Sequence, residues 1–190
     1  MSHKFDPKRA DGLVAPERYQ ELKPDILLQR LGVRPGSTIL DLGCANGFFT
    51  LPAAVAMGEE GMIIAADVSE QMLTLLNRRM APDNVQVLQV GEVKMDVETD
   101  SVDGAVVLFL YHEFKSPADN LKEIQRVLKP GGKLLMIDWD PLSDRARGPK
   151  KDHRVLQSDA IKTLESQGFL VDEKENYIDD IWLVLAHLPT

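Results

Sequence analysis

Ile39-Leu40-Asp41-Leu42-Gly43-Cys44-Ala45-Asn46-Gly47-Phe48-Phe49-Thr50 is the stretch that decides the fold. A short apolar run of the kind that forms a buried strand enters a turn with glycines four positions apart, and the turn opens into a helix. The missing side chains at Gly43 and Gly47 let backbone approach a ligand closely at the carboxyl edge of a sheet. Asp67 closes the next apolar run, 20 positions after Gly47. A carboxylate at that place can accept hydrogen bonds from both hydroxyls of a ribose. The stretch therefore predicts an α/β domain that takes a nucleoside-containing ligand.

Working outward, apolar runs rich in Val, Ile and Leu alternate with segments of helical periodicity, as in a parallel sheet with covering helices. Strands are predicted at Thr38–Leu42, Met62–Asp67, Val85–Gln89, Gly104–Phe109 and Lys133–Trp139. Ser69 can cap a helix that turns Met72, Leu73, Leu75, Leu76 and Met80 to the core. Ser116 and Pro117 start another, with Leu121, Ile124, Val127 and Leu128 on one face, ending at the Pro130-Gly131-Gly132 turn. A third runs from Ser158 to Gln167, and a helical pattern over Glu17–Leu31 is interrupted by Pro24. Phe169–Glu173 and Tyr177–Leu188 read as a closing hairpin, which makes the last pair antiparallel.

A chain of 190 residues with 44% hydrophobic content can bury one sizeable core, so a single domain over 1–190 is expected. Residues 1–16 lack periodicity and read as an arm. Lys and Arg number 22 against 30 Asp and Glu, a net charge of -8 that argues against unspecific adhesion to nucleic acid or anionic membrane. The lone cysteine, Cys44, excludes an intrachain disulfide framework and points to a reducing, cytoplasmic setting. No apolar run approaches the roughly 20 residues of a membrane helix. Nor does any His, Cys, Asp or Glu spacing support a metal site.

The ligand's nucleoside can be narrowed. A pyrophosphate needs G-x-G-x-x-G, but position 45 is Ala, and Phe48 and Phe49 stand where small residues would admit a phosphate. Asp41 places negative charge beside the turn, which suits a ligand bearing an ammonium and a sulfonium. This argues against a nicotinamide dehydrogenase.

These residues carry a resemblance. Val33-Arg34-Pro35-Gly36-Ser37-Thr38-Ile39-Leu40-Asp41-Leu42-Gly43-Cys44 resembles the first motif of the class I S-adenosylmethionine-dependent methyltransferases. Ala65-Ala66-Asp67-Val68-Ser69 with Met72-Leu73 resembles the second, and Val127-Leu128-Lys129-Pro130-Gly131-Gly132-Lys133-Leu134 resembles the turn before strand five. The match spans roughly residues 30 to 140, and the layout is most similar to small-molecule methyltransferases of the ubiquinone and menaquinone biosynthesis type. The resemblance implies a Rossmann-like doubly wound sheet of seven strands ordered 3-2-1-4-5-7-6 with strand 7 antiparallel. It implies S-adenosylmethionine as cofactor, with Asp41, Gly43 and Gly47 around the methionine portion, Asp67 on the ribose and Val68 against adenine. It further implies Glu92 and Val93 at the adenine edge, and Leu108 and Phe109 beneath the methionine portion. Ala45 departs from the family's second glycine, and Lys94-Met95-Asp96 from its Leu-Pro pair.

Methyl transfer from a sulfonium is an in-line displacement, so a dry, aligned site supplies much of the rate. A general base is needed only where the nucleophile must lose a proton. Tyr111, His112 and Glu113 follow strand four, and Asp138 and Asp140 bracket the end of strand five. His112 is the candidate base because its ordinary pKa is nearest neutrality; the competing reading is that it caps or packs the turn. Residues 140–157 form an insert whose first part holds Arg145, Arg147, Lys150, Lys151 and Arg154 against Asp140, Asp144 and Asp152. Such a loop could cover the site and attract an anionic acceptor, or be an ordinary solvated surface. Gly148-Pro149 with His153-Arg154 resembles a pattern in some relatives, which adds His153 and Arg154 to the candidates.

The expected function is methylation of a small-molecule acceptor. Methylation of RNA or protein is a second reading, and a non-catalytic module binding S-adenosylmethionine or S-adenosylhomocysteine a third. Leu108-Phe109-Leu110-Tyr111 lacks the polar residue and prolines that amino-methylating nucleic-acid enzymes carry after strand four.

Overall fold

Five apolar runs form parallel strands in the computed structural model, which describes residues 7–145 and 147–190. They are β1 (Thr38–Leu42), β2 (Met62–Asp67), β3 (Val85–Gln89), β4 (Val102–Leu108) and β5 (Leu128–Trp139). The hairpin β6 (Leu170–Ile178) and β7 (Ile181–His187) completes the sheet. Its order is β3-β2-β1-β4-β5-β7-β6, with β7 antiparallel to both neighbours, as the resemblance implies. Because successive side chains leave a strand on opposite faces, Ile39 enters one apolar layer and Leu40 the other.

One layer is covered by α1 (Pro16–Leu22), α2 (Pro24–Leu31) and α3 (Thr50–Met57). The other is covered by α5 (Pro117–Val127) and α6 (Gln157–Ser166), after α4 (Glu70–Arg78) has packed Leu73 and Leu76 near Ala65. Lys23, at φ 44, separates α1 from α2 where Pro24 breaks the periodicity. Ser69 caps α4, its hydroxyl accepting from the Met72 N–H at 3.3 Å. Among the described residues, no helix is long and apolar enough to cross a membrane.

Several local expectations are corrected. Met80 does not face the core: α4 stops at Arg78, and Met80 lies beyond it at φ 56, 88% exposed. The glycine pair before the fifth strand is not a turn between elements. Leu128 already pairs with Val102, and the register shifts before Lys133 pairs with Gly104. The last hairpin turns at Asp179-Asp180 rather than near Lys174. β6 is an edge strand exposed along most of its length, so polar residues sit inside it without signalling a turn.

His3, Lys4 and Phe5 of the expected arm lie outside the described residues. Residues 7–14 form a 3-10 helix, Pro7–Val14, whose period escapes a search for 3.6-residue spacing. Asn46 fastens that helix to the glycine-rich turn, donating from Nδ2 to the Ala10 carbonyl at 2.8 Å.

Candidate active site

A cleft opens at the carboxyl ends of β1 to β4. Leu42, Gly43, Asp67, Val68, Glu92 and Val93 line it, facing Leu110, Glu113 and Phe114 from the segment after β4. Five of the residues singled out in the sequence, Gly43, Asp67, Val68, Glu92 and Val93, are thus brought to one concavity. A Cβ on Gly43 would come within 2.8 Å of the tip of the Leu110 side chain, which would have to shift, and the backbone at φ +78 is what favours glycine there.

Behind the cleft the turn is held by two carboxylates. Asp67 accepts from the Ala45 N–H at 2.9 Å and from the Ser69 N–H at 2.8 Å. Ala45 adopts φ 48, the left-handed region that favours glycine, and this is the position where the family has one. Asp41 is buried and accepts from the Thr50 hydroxyl. Burial pushes its carboxyl up to about 7; the Thr50 hydrogen bond opposes this and the Asp67 charge adds to it. Cys44 is buried too, and burial, with the charges of Asp41 and Asp67, pushes its thiol up, away from nucleophilic thiolate character. Gly47, at φ +92, packs where a Cβ would meet Leu76 at 2.5 Å.

Glu92 lines the cleft, but its carboxylate takes the Lys115 ammonium on both oxygens at 2.7 Å. Its carbonyl accepts from Asn120 Nδ2 at 2.6 Å. Leu108 ends β4 and Phe109 follows it, both packed against the other apolar layer. Phe109 stands at φ 55, its N–H donating to the Ile137 carbonyl and its ring 4.8 Å from that of Trp139.

Beyond β4 the chain makes the short 3-10 turn Tyr111–Glu113 and brings His112 to the end of β5. His112 Nδ1 lies 2.7 Å from Asp138 Oδ1, and its backbone N–H donates to Asp138 Oδ2 at 2.9 Å. Asp138 is completely buried and also accepts from the Trp139 N–H at 2.7 Å. Burial, the largest influence on His112, disfavours its charged form. The hydrogen bond and charge of Asp138, aided by Glu113, outweigh it, and the imidazole pKa is raised. His112 Nε2 is 3.9 Å from Oε1 of Glu113, a residue of the cleft wall.

Tyr111 and Arg154 are not brought to the cleft. The Tyr111 ring is 2% exposed and packs edge-on against Phe114 and Trp182 in the core under α5 and α6. Arg154 is a staple for the insert: its guanidinium donates to the carbonyls of Pro149, Asp140 and Arg147. His153 closes the 3-10 turn Lys151–His153 within the same insert. The insert's other cations are largely paired. Arg145 meets Asp179, Arg147 forks onto Asp180 and reaches Glu21, and Lys151 meets Asp144.

Sequence reasoning missed Leu110, Lys115, Asn120 and Arg18. Asn120 had a readable signal, since it is a polar residue beside the apolar stripe of α5 and is 4% exposed. Arg18 had none: its position over the rings of Phe48 and Phe109, at 5.1 and 4.6 Å, depends on the path of α1.

A glycine-rich turn after β1, a carboxylate after β2, and this strand order define a class I S-adenosylmethionine-dependent methyltransferase fold. Residues 40–136 match the family described as methyltransferase domain. A methyltransferase structure from Aquifex aeolicus superposes with a TM-score of 0.90 at 30% identity, covering 97% of this chain and 100% of that one. The ubiquinone/menaquinone biosynthesis C-methyltransferase of Azotobacter vinelandii is 32% identical over 126 residues, 64% of this chain and 49% of that protein. The demethylmenaquinone methyltransferase of Bacillus cereus is 26% identical over 141 residues, 73% of this chain and 58% of that protein. The chain spans about half the length of these two curated relatives. It belongs to the methyltransferase-domain family, and its cofactor is S-adenosylmethionine. The cleft fits the nucleoside end of that cofactor, with a carboxylate, Asp67, between apolar walls from Val68, Leu110 and Phe114.

Proposed function

We propose that this chain methylates a small-molecule acceptor whose nucleophilic group must first lose a proton, and that His112 takes that proton. The observation that carries the reading is the His112–Asp138 pair beside the cleft. With Asp138 accepting from Nδ1–H, the neutral imidazole keeps its lone pair on Nε2, toward Glu113 and the cleft wall. Asp138 holds that tautomer and stabilises the imidazolium that forms when the acceptor's proton arrives. When bound, S-adenosylmethionine supplies an electrophilic methyl group on a sulfonium.

Asp67 is assigned to the ribose, and Val68 and Val93 to the walls of the adenine site. Asp41, Gly43 and Gly47 border the methionine portion, and Glu92, tied to Lys115, shapes the adenine edge. Phe109 and Trp139 supply an apolar surface that excludes water from the transfer. The relatives named for methylation in ubiquinone and menaquinone biosynthesis support a small-molecule acceptor.

Transfer of labelled methyl from S-adenosylmethionine into a cell metabolite extract, compared with protein and RNA fractions, tests the proposal. Label is expected in small molecules, at a rate that falls in His112→Gln. Label confined to RNA or protein overturns the small-molecule reading, and cofactor binding without transfer to any fraction overturns the enzymatic one.

A further inference from the structure

Arg145, Arg147 and Lys151 of the insert each find a carboxylate, but Arg154 is used differently. It is 9% exposed, and every nitrogen of its guanidinium donates to a backbone carbonyl: Nε to Pro149 at 3.0 Å, Nη1 to Asp140 at 3.0 Å and Nη2 to Arg147. Among the described residues no carboxylate pairs with it. Carbonyls satisfy the donors of a guanidinium without cancelling its charge. A buried cation held in this way exerts that charge on whatever lies around it, because little water screens it.

What lies around Arg154 is the end of β5. Asp140, whose carbonyl it holds, is two residues beyond Asp138. Gly148, between the carbonyls of Arg147 and Pro149, packs against Trp139: a Cβ there would come within 2.6 Å of the indole. Arg154 Cζ is itself 5.8 Å from the centre of a Trp139 ring. The Trp139 N–H donates to the carboxylate that holds His112 Nδ1, and its ring packs on Phe109. The insert is therefore docked on the residues that place the proposed base. Burial acts most strongly against the imidazolium form of His112. Asp138 of β5 and Glu113 of the same 3-10 turn favour that form, and Arg154 of the insert joins burial in opposing it.

We propose that Arg154 is a positioning residue for methyl transfer: it fixes the insert on Trp139 and keeps a positive charge beside His112 that counterbalances Asp138 and Glu113, freeing the imidazole to take the acceptor's proton. Without that charge the two carboxylates would hold His112 as the imidazolium to higher pH, and a neutral base would be available only there. The proposal rests on the assignment of His112 as base and adds a role for the insert. The planar fork of the guanidinium is what lets one side chain reach three carbonyls of a single loop, and an ammonium has no such geometry. Charge and loop shape are thus supplied by the same residue, and substitution can separate them.

The test reads His112 directly. Its imidazole is titrated by NMR in the full, ligand-free chain, the signal being assigned by its loss in His112→Gln, and the pH profile of methyl transfer to a metabolite extract is recorded on the same proteins. In Arg154→Met, which removes both charge and fork, the imidazole midpoint is expected to move to higher pH, and the acid limb of the transfer rate to move with it. In Arg154→Lys, which keeps the charge and loses the fork, the midpoint is expected to stay near that of the unaltered chain while the plateau rate falls. The proposal is overturned if the midpoint is unmoved in Arg154→Met. It is also overturned if the midpoint rises equally in Arg154→Lys, the mark of an insert that merely buries His112. Should Arg154→Met fail to fold, Gly148→Ala takes its place: the added Cβ lifts the insert and its guanidinium from Trp139, the midpoint is expected to rise, and an unmoved midpoint overturns the proposal. A midpoint that rises in Arg154→Met while the acid limb stays in place would instead remove the assignment of His112 as base.

Discussion

His112 Nδ1 and Asp138 Oδ1 face each other at 2.7 Å, joining the segment after β4 to the end of β5. Asp138 has no exposed surface, and all three of its donors are His112 or Trp139 groups. The carboxylate therefore fixes both where the imidazole sits and which nitrogen carries its proton. That coupling gives the first prediction: Asp138→Asn should lower the methyl-transfer rate by about 10²-fold or more, the span attributed to a positioned base, with S-adenosylhomocysteine affinity unchanged. Single-turnover rates and equilibrium binding measured on the same variant check it.

The pH profile follows from the raised His112 pKa. A base must be neutral, so activity should rise through a pKa above the ordinary histidine value of about 6.5. In Asp138→Asn that acid limb should move to lower pH, because the favourable carboxylate charge is gone. For folding the sign is opposite. A histidine whose pKa is raised stabilises the fold fully below its ordinary value, and the contribution is lost as pH rises through the raised one. An acid limb at the same pH in both proteins would separate His112 from the rate.

Asp41 gives a second pH dependence. Its carboxyl, pushed by burial up to about 7, favours the folded ligand-free protein in the protonated form. This contribution is complete below the ordinary carboxylate value and is lost as pH rises through about 7, so ligand-free Tm should fall between pH 5 and 8. Asp41→Asn should flatten that fall. A cationic sulfonium near Asp41 favours the carboxylate, so the preference for S-adenosylmethionine over the uncharged thioether product should grow with pH. Calorimetry in buffers of differing ionisation enthalpy should detect the proton released below pH 7.

Asp67→Ala should lower cofactor affinity about tenfold or more through loss of charged hydrogen bonds. Because Asp67 also accepts from the Ala45 and Ser69 amides, part of the loss would be the turn loosening. Asp67→Asn, which retains an oxygen for one amide, separates the two effects. Its Tm should stay near that of the unaltered chain while affinity still drops.

Ala45→Gly should stabilise the protein. The left-handed φ of 48 costs an L-residue about 1–2 kcal/mol that glycine does not incur. Part of this is offset by glycine's extra freedom in the unfolded chain, leaving a gain of about 1 kcal/mol and a Tm rise of about 2–4 °C. Thermal unfolding in the absence of ligand measures it, and no rise would mean that the Asp67 hydrogen bond already compensates the strain.

Much of the molecule was legible because its signals are local. Apolar runs, the Gly43 and Gly47 spacing, the Asp67 position and the Ser69 cap all act within a few residues, and they located β1 to β5, the cleft and five of its lining residues. The errors came where local polarity misreported a tertiary setting. Residues 174–176, in the middle of β6, looked like a turn because an edge strand tolerates charge, and the insert read as either an anion-attracting loop or a solvated surface because its partners lie elsewhere in the chain. Arg147 finds Glu21 at 126 residues' separation and Asp180 at 33, and those pairings convert a basic loop into an internally neutralised one. Which side chain meets which is settled by how α1, the insert and the last hairpin converge, since a charge's electrostatic role depends on its nearest neighbours in space. The amino-acid sequence by itself determined a nucleoside-binding doubly wound sheet and where its cofactor edge lies. Only the tertiary structure decided that His112 is held by Asp138, that Tyr111 belongs to the core, and that Arg147 is paired with Glu21 and Asp180.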